Sequence, residues 1–248
     1  MDDYNETKNF FNSNATNYSN SDSHKNDSDL EILMNSMELS GDMIGLDIAT
    51  GSGFTAIKMA TYIKKVYALD FAENMLRETR KLANENGMDN IEVVKAPVEE
   101  LPYTDNFFDV VTCRRAAHHF MDKEKFLKES YRVLKNNGMI GIDDMTASDD
   151  NVENLNRLER LRDHTHMYAE SPERWAQLLK DQGFRDIKYK IYEKRLNFLE
   201  WVYPVAENSP EGIESYNFLK KADSTFLSYI DFKNNSFIKR WVVVTARK

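Results

Sequence analysis

Residues 45–53 read GLDIATGSG, an apolar run with one acidic residue that leads into a turn with two glycines. The segment FTAIKMATYI follows with helical spacing, and KVYALD then has the composition of a second strand. The three segments predict a β-α-β unit whose first strand ends at the glycine turn. Ligands of open α/β sheets bind at the carboxyl ends of the strands, and glycine lets the backbone approach them closely. We therefore expect an α/β sheet with a ligand at this turn.

The rest of the chain continues the alternation of strand and helix. LEILMNSM precedes the unit as a helix, and ENMLRETRKLANENG and KEKFLKESYRVL follow as helices. IEVVKA, FFDVVTCR and MIGIDD have strand patterns, and the last follows an expected turn at residues 136–138. NVENLNRLERLRD and RWAQLLKDQ predict two later helices, before the strand patterns FRDIKYKIYEKRLNF and IKRWVVVTA. This order predicts a mostly parallel sheet with helices on both faces.

Composition excludes several classes of protein. The 248 residues carry 33 Lys and Arg against 41 Asp and Glu, a net charge of −8. An acidic balance disfavours nucleic acid as a partner, because binding to phosphates needs clustered cations. The one cysteine, Cys113, can form neither an intrachain disulfide nor a thiolate zinc site. The first residues are polar and no apolar run is long enough for a membrane helix, so we expect a cytoplasmic protein with no membrane partner.

The amino-terminal segment differs from the remainder. Residues 1–29 are polar and rich in Asn, so they cannot nucleate a core. Phe10, Phe11 and Tyr18 are nevertheless spaced as on a short helix, and we expect the segment to order by lying over another surface. Residues 30–248 show no repeat and no linker, which predicts a single domain with a helical insertion, of two helices, at residues 199–232.

Two carboxylates flank the glycine turn. Asp47 precedes it, and Asp70 ends the second strand, where it can accept hydrogen bonds from both hydroxyls of a ribose. The glycines alone are also consistent with a plain strand-to-helix turn. Residues 51–56 fit the dinucleotide pattern with Ala56 in its last place, which would indicate an NAD-dependent oxidoreductase. A pyrophosphate would repel Asp47, however, whereas an amino group would attract it. S-adenosylmethionine, with an amino acid at one end and adenosine at the other, accounts for both carboxylates.

Together with LDIATGSG, the motifs ALDFAENML, VEELPYTDNFFDVVTC, AAHHF and RVLKNNGMIGIDD resemble those of class I S-adenosylmethionine-dependent methyltransferases. The resemblance is close to the group that includes the ubiquinone and menaquinone biosynthesis C-methyltransferases, and it covers roughly residues 39–144. It implies a Rossmann-like seven-stranded methyltransferase fold with an antiparallel strand at the carboxyl terminus. It also implies methyl transfer from S-adenosylmethionine to a small organic acceptor.

The resemblance implies roles for particular residues around the cofactor. The methionine end would lie against Asp47 and the loop of residues 49–53, and the ribose against Asp70. The adenine would lie between Phe71 and Met75, with its edge against the backbone near Val98. The cofactor-binding residues expected on this basis are Asp47, Ala49, Gly51, Gly53, Asp70, Phe71, Met75 and Val98. Arg114 follows the fourth strand, where its cation could meet the methionine carboxylate or an anionic acceptor. It could instead pair with Asp143, Asp144 or another of the chain's many acids.

The sequence departs from the family pattern at two positions. Ala49 replaces the usual first glycine, a change for which we expect little steric consequence. Pro97 stands where many relatives have an acid that accepts a hydrogen bond from the adenine amino group. Glu99 is a candidate substitute for that acid, or a solvated carboxylate at the start of a short helix.

Histidines are the candidate catalytic groups, since a base is required where the acceptor loses a proton. His118 and His119 follow the fourth strand, and family resemblance favours His119 over its neighbour. His164 and His166 would share one side of an extended segment, the arrangement of half a metal site, yet no further ligands are suggested and we predict no metal. Relatives carry a histidine at the position of His166, so it is the second candidate. Each histidine could equally be a buried structural imidazole.

The resemblance also bears on the amino-terminal segment. Relatives place a comparable segment, with an aromatic residue and a histidine like Tyr18 and His24, over the cofactor. We therefore expect residues 1–29 to act as a lid. A non-catalytic cofactor-binding regulatory protein is the alternative function, and Pro97 is its support in the sequence. Composition identifies neither the acceptor nor the oligomeric state.

Overall fold

A central β-sheet organises the fold. The structure is a computed structural model that describes residues 2–20, 28–203 and 205–248. The strands are β1 (Ile44–Ile48), β2 (Lys65–Asp70), β3 (Ile91–Lys95), β4 (Phe108–Arg114), β5 (Leu134–Thr146), β6 (Arg185–Asn197) and β7 (Ser236–Arg247). They form one sheet in the order β3-β2-β1-β4-β5-β7-β6, in which β7 runs antiparallel to both of its neighbours. The predicted fold class is confirmed.

Helices connect the strands and cover the sheet. They are α1 (Asp2–Asn20), α2 (Ser28–Ser36), α3 (Phe54–Ala60), α4 (Glu73–Glu85), α5 (Lys123–Val133), α6 (Val152–Arg162), α7 (Pro172–Asp181), α8 (Phe198–Val202), α9 (Pro210–Lys221) and α10 (Ser224–Tyr229). A short 3-10 turn, Ala117–His119, follows β4. Over the described residues the insertion holds three helices, α8 to α10, where the sequence predicted two. None of the helices described is long and apolar enough to span a bilayer.

Local sequence signals set several of the helix ends. The hydroxyl of Ser171 accepts a hydrogen bond from the Arg174 amide, and Pro172 occupies the first position of α7. Gly87 and Gly183 follow helices with φ of +66° and +94°. The turn expected at residues 136–138 is instead a bulge inside β5, where Asn137 has a φ of +67° and the pairing with β4 shifts register.

The helix α1 lies along α4 and is part of the packed structure. The Asn74 amide donates to Asn12 Oδ1 over 3.0 Å, and Asn74 Nδ2 donates to the Asn12 carbonyl over 2.8 Å. Ala15 is buried against Ala72 and Met75. A polar segment without a core of its own is therefore ordered by a neighbouring helix. The side chain of Tyr18 and the whole of His24 lie outside the described residues.

Candidate active site

A cleft opens at the carboxyl ends of β1, β2 and β4, with α1 across it. It encloses about 1020 Å³, including its open mouth. The ring centroids of Tyr4 and Phe71 are 5.3 Å apart, and those of Phe11 and His119 are 5.0 Å apart. Tyr4 and Phe11 are two helical turns apart, so they cover points roughly 10.5 Å apart along the cleft. The helix α1 therefore contacts both Phe71, beside Asp70, and His119.

Most of the residues expected at the cofactor do line this cleft. They are Ala49, Gly51, Asp70, Phe71, Met75, Val98 and Arg114, and His119 lines it with them. Pro97 and Glu99 also line it, at the place of the missing adenine-binding acid. Asp47, Gly53 and His166 are not among its lining residues.

The glycine turn has the form of a ligand-binding loop. Gly51 has a φ of +56°, and no atom lies within 4 Å of the position that a Cβ on it would occupy. The hydroxyl of Ser52 is buried, lines the cleft and has no hydrogen-bond partner among the described residues. Such an orphaned polar atom beside open space suits a ligand that brings its own hydrogen-bonding groups. The loop thus fits the amino acid end of S-adenosylmethionine.

Ala49 does not replace a glycine without consequence. Its φ is +52°, in the left-handed region where a side chain costs about 1–2 kcal/mol. The expectation of little steric change is therefore wrong. The cost arises from the left-handed backbone at Ala49 and not from a lack of space for its methyl group, and a glycine would avoid that cost.

Asp70 joins the end of β2 to the glycine turn. Its Oδ2 accepts a hydrogen bond from the Gly51 amide, and its Oδ1 accepts one from the Ala72 amide, both over 2.9 Å. Burial raises the pKa of Asp70 to about 6 despite these bonds. Each oxygen keeps a further lone pair for a ribose hydroxyl. The carboxylate is placed to hold the loop and a ligand together.

The raised pKa predicts a pH dependence of cofactor binding. The ionised carboxylate would accept the ribose hydroxyls of a bound cofactor, so affinity should be complete above the pKa of about 6 and should fall as Asp70 is protonated below it. The dissociation constant of S-adenosylhomocysteine should be about tenfold higher at pH 5 than at pH 7. Calorimetry across this range measures it. Asp70→Asn should bind weakly and without this slope, and a slope that survives in the variant would assign the titration to another group.

Asp47 anchors the loop from inside and does not reach the cleft. Its Oδ2 accepts from the Thr50 hydroxyl over 2.6 Å, and its Oδ1 accepts from the Thr112 hydroxyl over 2.8 Å. Burial raises the pKa of Asp47 to about 6. In this arrangement Asp47 holds the turn, and its contact with the methionine end stays a prediction.

Gly53 is needed for packing. It precedes α3 with a φ of +90°, and a Cβ on it would lie 2.7 Å from Cγ2 of Thr79 on α4. Glycine at this position lets α3 and α4 approach each other at the end of the loop.

The arginines after β4 pair with a residue from the start of α2. Arg114 Nη1 lies 2.8 Å from Asp29 Oδ2, and Arg115 Nε lies 3.0 Å from the same atom. Burial alone would raise the pKa of Asp29, but the two guanidinium groups lower it to about 2. Among the acids that could pair with these arginines, Asp29 thus forms ion pairs with both. Arg114 also donates to the Thr55 hydroxyl over 3.1 Å, and it lines the cleft.

The adjacent histidines have different environments. Nδ1 of His118 lies 2.5 Å from Oδ1 of Asp144, and the His118 amide donates to Oδ2 of the same carboxylate over 2.7 Å. Burial lowers the pKa of His118 well below its usual value. His119 instead lines the cleft, and its Nδ1 faces the carbonyl and hydroxyl oxygens of Thr165. The choice of His119 over His118 agrees with this geometry.

His166 is buried and does not line the cleft. Its Nε2 lies 2.6 Å from Asn156 Oδ1, and burial lowers its pKa to about 2. The rings of His164 and His166 would share one side of an extended segment, but the His166 amide donates to the Asp163 carbonyl over 3.0 Å and closes a tight turn. The turn directs His164 outward, where its Nε2 lies 3.5 Å from Glu6 Oε1 on α1. The two rings therefore do not share one side.

Two groups at the cleft or behind it, Tyr4 and Thr165, were not predicted from the sequence. Ser52 lies in the loop of residues 49–53 that was expected at the amino acid end, although its hydroxyl was not singled out. Tyr4 lines the cleft from a helix whose partner is distant in sequence. Thr165 contacts His119 from a turn 46 residues away, and no local pattern indicates that contact.

Comparison with known proteins agrees with the fold. A family model for a methyltransferase domain matches residues 46–142. The crystal structure of BH2331 from Bacillus halodurans C-125 has a TM-score of 0.84 and 32% identity, and the match covers 89% of this chain and 99% of that one. The chain belongs to the class I S-adenosylmethionine-dependent methyltransferase family. This membership removes the NAD-dependent oxidoreductase interpretation.

Two further relatives are named methyltransferases. YcgJ of Bacillus subtilis, an uncharacterized methyltransferase, is 36% identical over 149 residues, which are 59% of this chain and 59% of YcgJ. Its crystal structure has a TM-score of 0.83. The sarcosine/dimethylglycine N-methyltransferase of Halorhodospira halochloris is 33% identical over 65% of this chain and 58% of that enzyme. These sequence alignments therefore span just under three fifths of the relatives' length.

The finer resemblance to quinone-biosynthesis enzymes is only partial. The demethylmenaquinone methyltransferase of Listeria welshimeri is 38% identical over 98 residues, which are 38% of this chain and 42% of that enzyme. The BH2331 structure matches nearly the whole chain instead.

Proposed function

We propose that this chain transfers the methyl group of S-adenosylmethionine to a small organic acceptor bound between α1 and the turn Ala117–His119. One observation supports the proposal above all others. The same cleft is lined by the glycine loop and Asp70, which suit the cofactor, and by His119 and aromatic side chains, which suit an acceptor.

The chain's own residues divide the work of binding. Residues 49–52 would hold the amino acid end and Asp70 the ribose, while Phe71, Met75 and Val98 would enclose the adenine. When bound, S-adenosylmethionine supplies a methyl carbon on a positively charged sulfur. Phe11 and Phe120 line the cleft and would exclude water, and His119 would accept a proton from the acceptor. The protein's main contribution is alignment of the two reactants.

The acceptor is proposed only as a class. The matched enzymes act on small molecules by their names, one on the nitrogen of sarcosine or dimethylglycine and one on demethylmenaquinone. The aromatic lining of the cleft, from Tyr4, Phe11, Phe54 and Phe120, suits an acceptor with an apolar part. Methylation at oxygen, nitrogen or carbon is compatible with this lining.

Turnover with methyl-labelled S-adenosylmethionine tests the proposal. The protein is incubated with the labelled cofactor and a panel of amines, phenols and acidic carbon compounds, and label in the products is counted. We expect label in at least one product class, and none with a Gly51→Val variant. Tight binding of S-adenosylmethionine with no labelled product from any class would favour the regulatory alternative.

We also propose that α1 is a lid. Ordering its backbone costs about 1–2 kcal/mol per residue, so contacts with bound ligands should tighten a helix whose own core contacts are few. Hydrogen exchange of α1 should slow when S-adenosylhomocysteine is added. Asn12→Ala removes the acceptor of the Asn74 amide bond and should speed that exchange without unfolding the domain. Exchange that is equal with and without ligand would mean that α1 is not a lid.

A further inference from the structure

A chain of hydrogen bonds links His119 through Thr165 to Asp163, and none of the roles proposed above involves it. The Thr165 hydroxyl donates to Asp163 Oδ1 over 2.6 Å, and the Thr165 amide donates to the same oxygen over 2.9 Å. His119 Nδ1 lies 3.1 Å from the Thr165 hydroxyl oxygen and 3.0 Å from the Thr165 carbonyl oxygen. Asp163 and Thr165 are both buried, whereas His119 lines the cleft.

The direction of these bonds fixes the tautomer of His119. Burial alone would raise the pKa of Asp163, but its electrostatic interaction with His119 and its bonds from Thr165 lower the pKa. Asp163 is therefore an ionised carboxylate, which only accepts, so the Thr165 hydroxyl hydrogen is committed to it. Both oxygens that face His119 Nδ1 then act as acceptors, and Nδ1 must carry the hydrogen. The lone pair of the neutral ring is left on Nε2.

We infer that Asp163 and Thr165 are positioning residues that hold His119 with its Nε2 lone pair available to the acceptor, and that the acceptor carries a dissociable proton on the atom that is methylated. The second half of this inference rests on the proposed function. Nε2 has no hydrogen-bond partner in the described part of the chain, and His119 is the histidine that lines the cleft. An acceptor without such a proton, such as a tertiary amine, would have no use for this arrangement.

The proposed step balances in atoms and charge. The acceptor's electron pair forms the bond to the methyl carbon while the carbon–sulfur bond breaks onto sulfur, and the acceptor's proton passes to His119 Nε2. The resulting imidazolium keeps its Nδ1 hydrogen bond to Thr165, and the buried charge of Asp163 stabilises it through that residue. The methylated product and S-adenosylhomocysteine leave, and His119 returns its proton to water.

The first test needs no acceptor. The full chain, labelled with ¹⁵N at histidine and saturated with S-adenosylhomocysteine, is studied by long-range ¹H–¹⁵N correlation across pH, and His119→Gln assigns the signal. We expect the Nδ1–H tautomer for His119. Asp163→Asn keeps the shape of the side chain but loses the charge that commits the Thr165 hydroxyl hydrogen, and should reduce the share of the Nδ1–H tautomer. Asp109→Asn, at the amino end of β4, should leave the tautomer unchanged.

An Nε2–H tautomer in the wild type, or the same share of the Nδ1–H tautomer in Asp163→Asn and the wild type, would overturn the positioning role. The second test uses phenols, secondary amines and tertiary amines as acceptors. His119→Gln should lower kcat for the proton-bearing acceptors about 10²-fold or more, and Asp163→Asn should lower kcat about tenfold with KM unchanged. Product from tertiary amines that is insensitive to His119→Gln would overturn the assigned acceptor class. Absence of product from every acceptor would overturn the proposed function, while the tautomer would still decide the positioning role.

Discussion

Asp70→Ala is expected to weaken the binding of S-adenosylhomocysteine at least tenfold. On the proposed binding mode, the variant would remove two charge-assisted hydrogen bonds to the ribose, each contributing roughly 1.5–3 kcal/mol. It also releases the Gly51 amide, which Asp70 Oδ2 holds at 2.9 Å, so the loop at the other end of the cofactor loosens as well. Calorimetric titration at pH 7.5 measures the change.

The matched control for this variant is Asp109→Ala. Asp109 Oδ2 also accepts a backbone hydrogen bond, from the Ile44 amide over 2.9 Å. Asp109 lies near the amino end of β4, however, whereas the cleft is at the carboxyl end of that strand. This variant should leave the dissociation constant unchanged. If folded Asp70→Ala binds within about threefold of the wild type, a difference under 0.7 kcal/mol, the ribose does not lie on Asp70.

Gly51→Val should abolish cofactor binding while the chain stays folded. The left-handed backbone at φ +56° makes a β-branched residue costly, by about 1–2 kcal/mol of folding free energy. The valine side chain would also enter the open space beside the loop, which we assign to the cofactor. Circular dichroism should show retained helix, and titration with S-adenosylhomocysteine should show no measurable heat of binding.

Gly87→Val separates backbone strain from loss of the site. Gly87 has a similar φ of +66°, and the position that a Cβ on it would occupy also has no atom within 4 Å, but it closes α4 away from the cleft. The two variants should lose similar stability, and Gly87→Val alone should keep wild-type affinity. Retained affinity in Gly51→Val would show that no ligand approaches this loop.

The succession of strands and helices along the chain and the position of the glycine loop were predictable, because both have local sequence signals. Alternating strands and helices fix a parallel sheet, and the glycine turn at the end of β1 then meets Asp70 at the end of β2. The partners of Asp47 within the fold were not predictable from the sequence, because one of them is not local. Thr112 is 65 residues away, and only the register of β1 with β4 places it opposite Asp47.

The region of the acceptor was less predictable for the same reason. The direction in which the His166 side chain points depends on the backbone conformation of residues 163–166. The sequence DHTH is compatible with both a turn and an extended segment, so it does not predict that direction. The position of helix α1 depends on its contacts with Asn74, on α4, and with Ala72, which directly precedes α4. Its polar composition predicted a segment without a core, and its position over the cleft follows from a tertiary contact that sequence spacing does not show.

A crystal structure of the full chain with S-adenosylhomocysteine tests the central claim most directly. The account predicts electron density for the ribose with both hydroxyls within about 2.6–3.2 Å of the Asp70 carboxylate, the amino acid end against residues 49–52 and the sulfur toward His119. Density for the ligand in this cleft but with its ribose away from Asp70, or density at another place on the molecule, would contradict it.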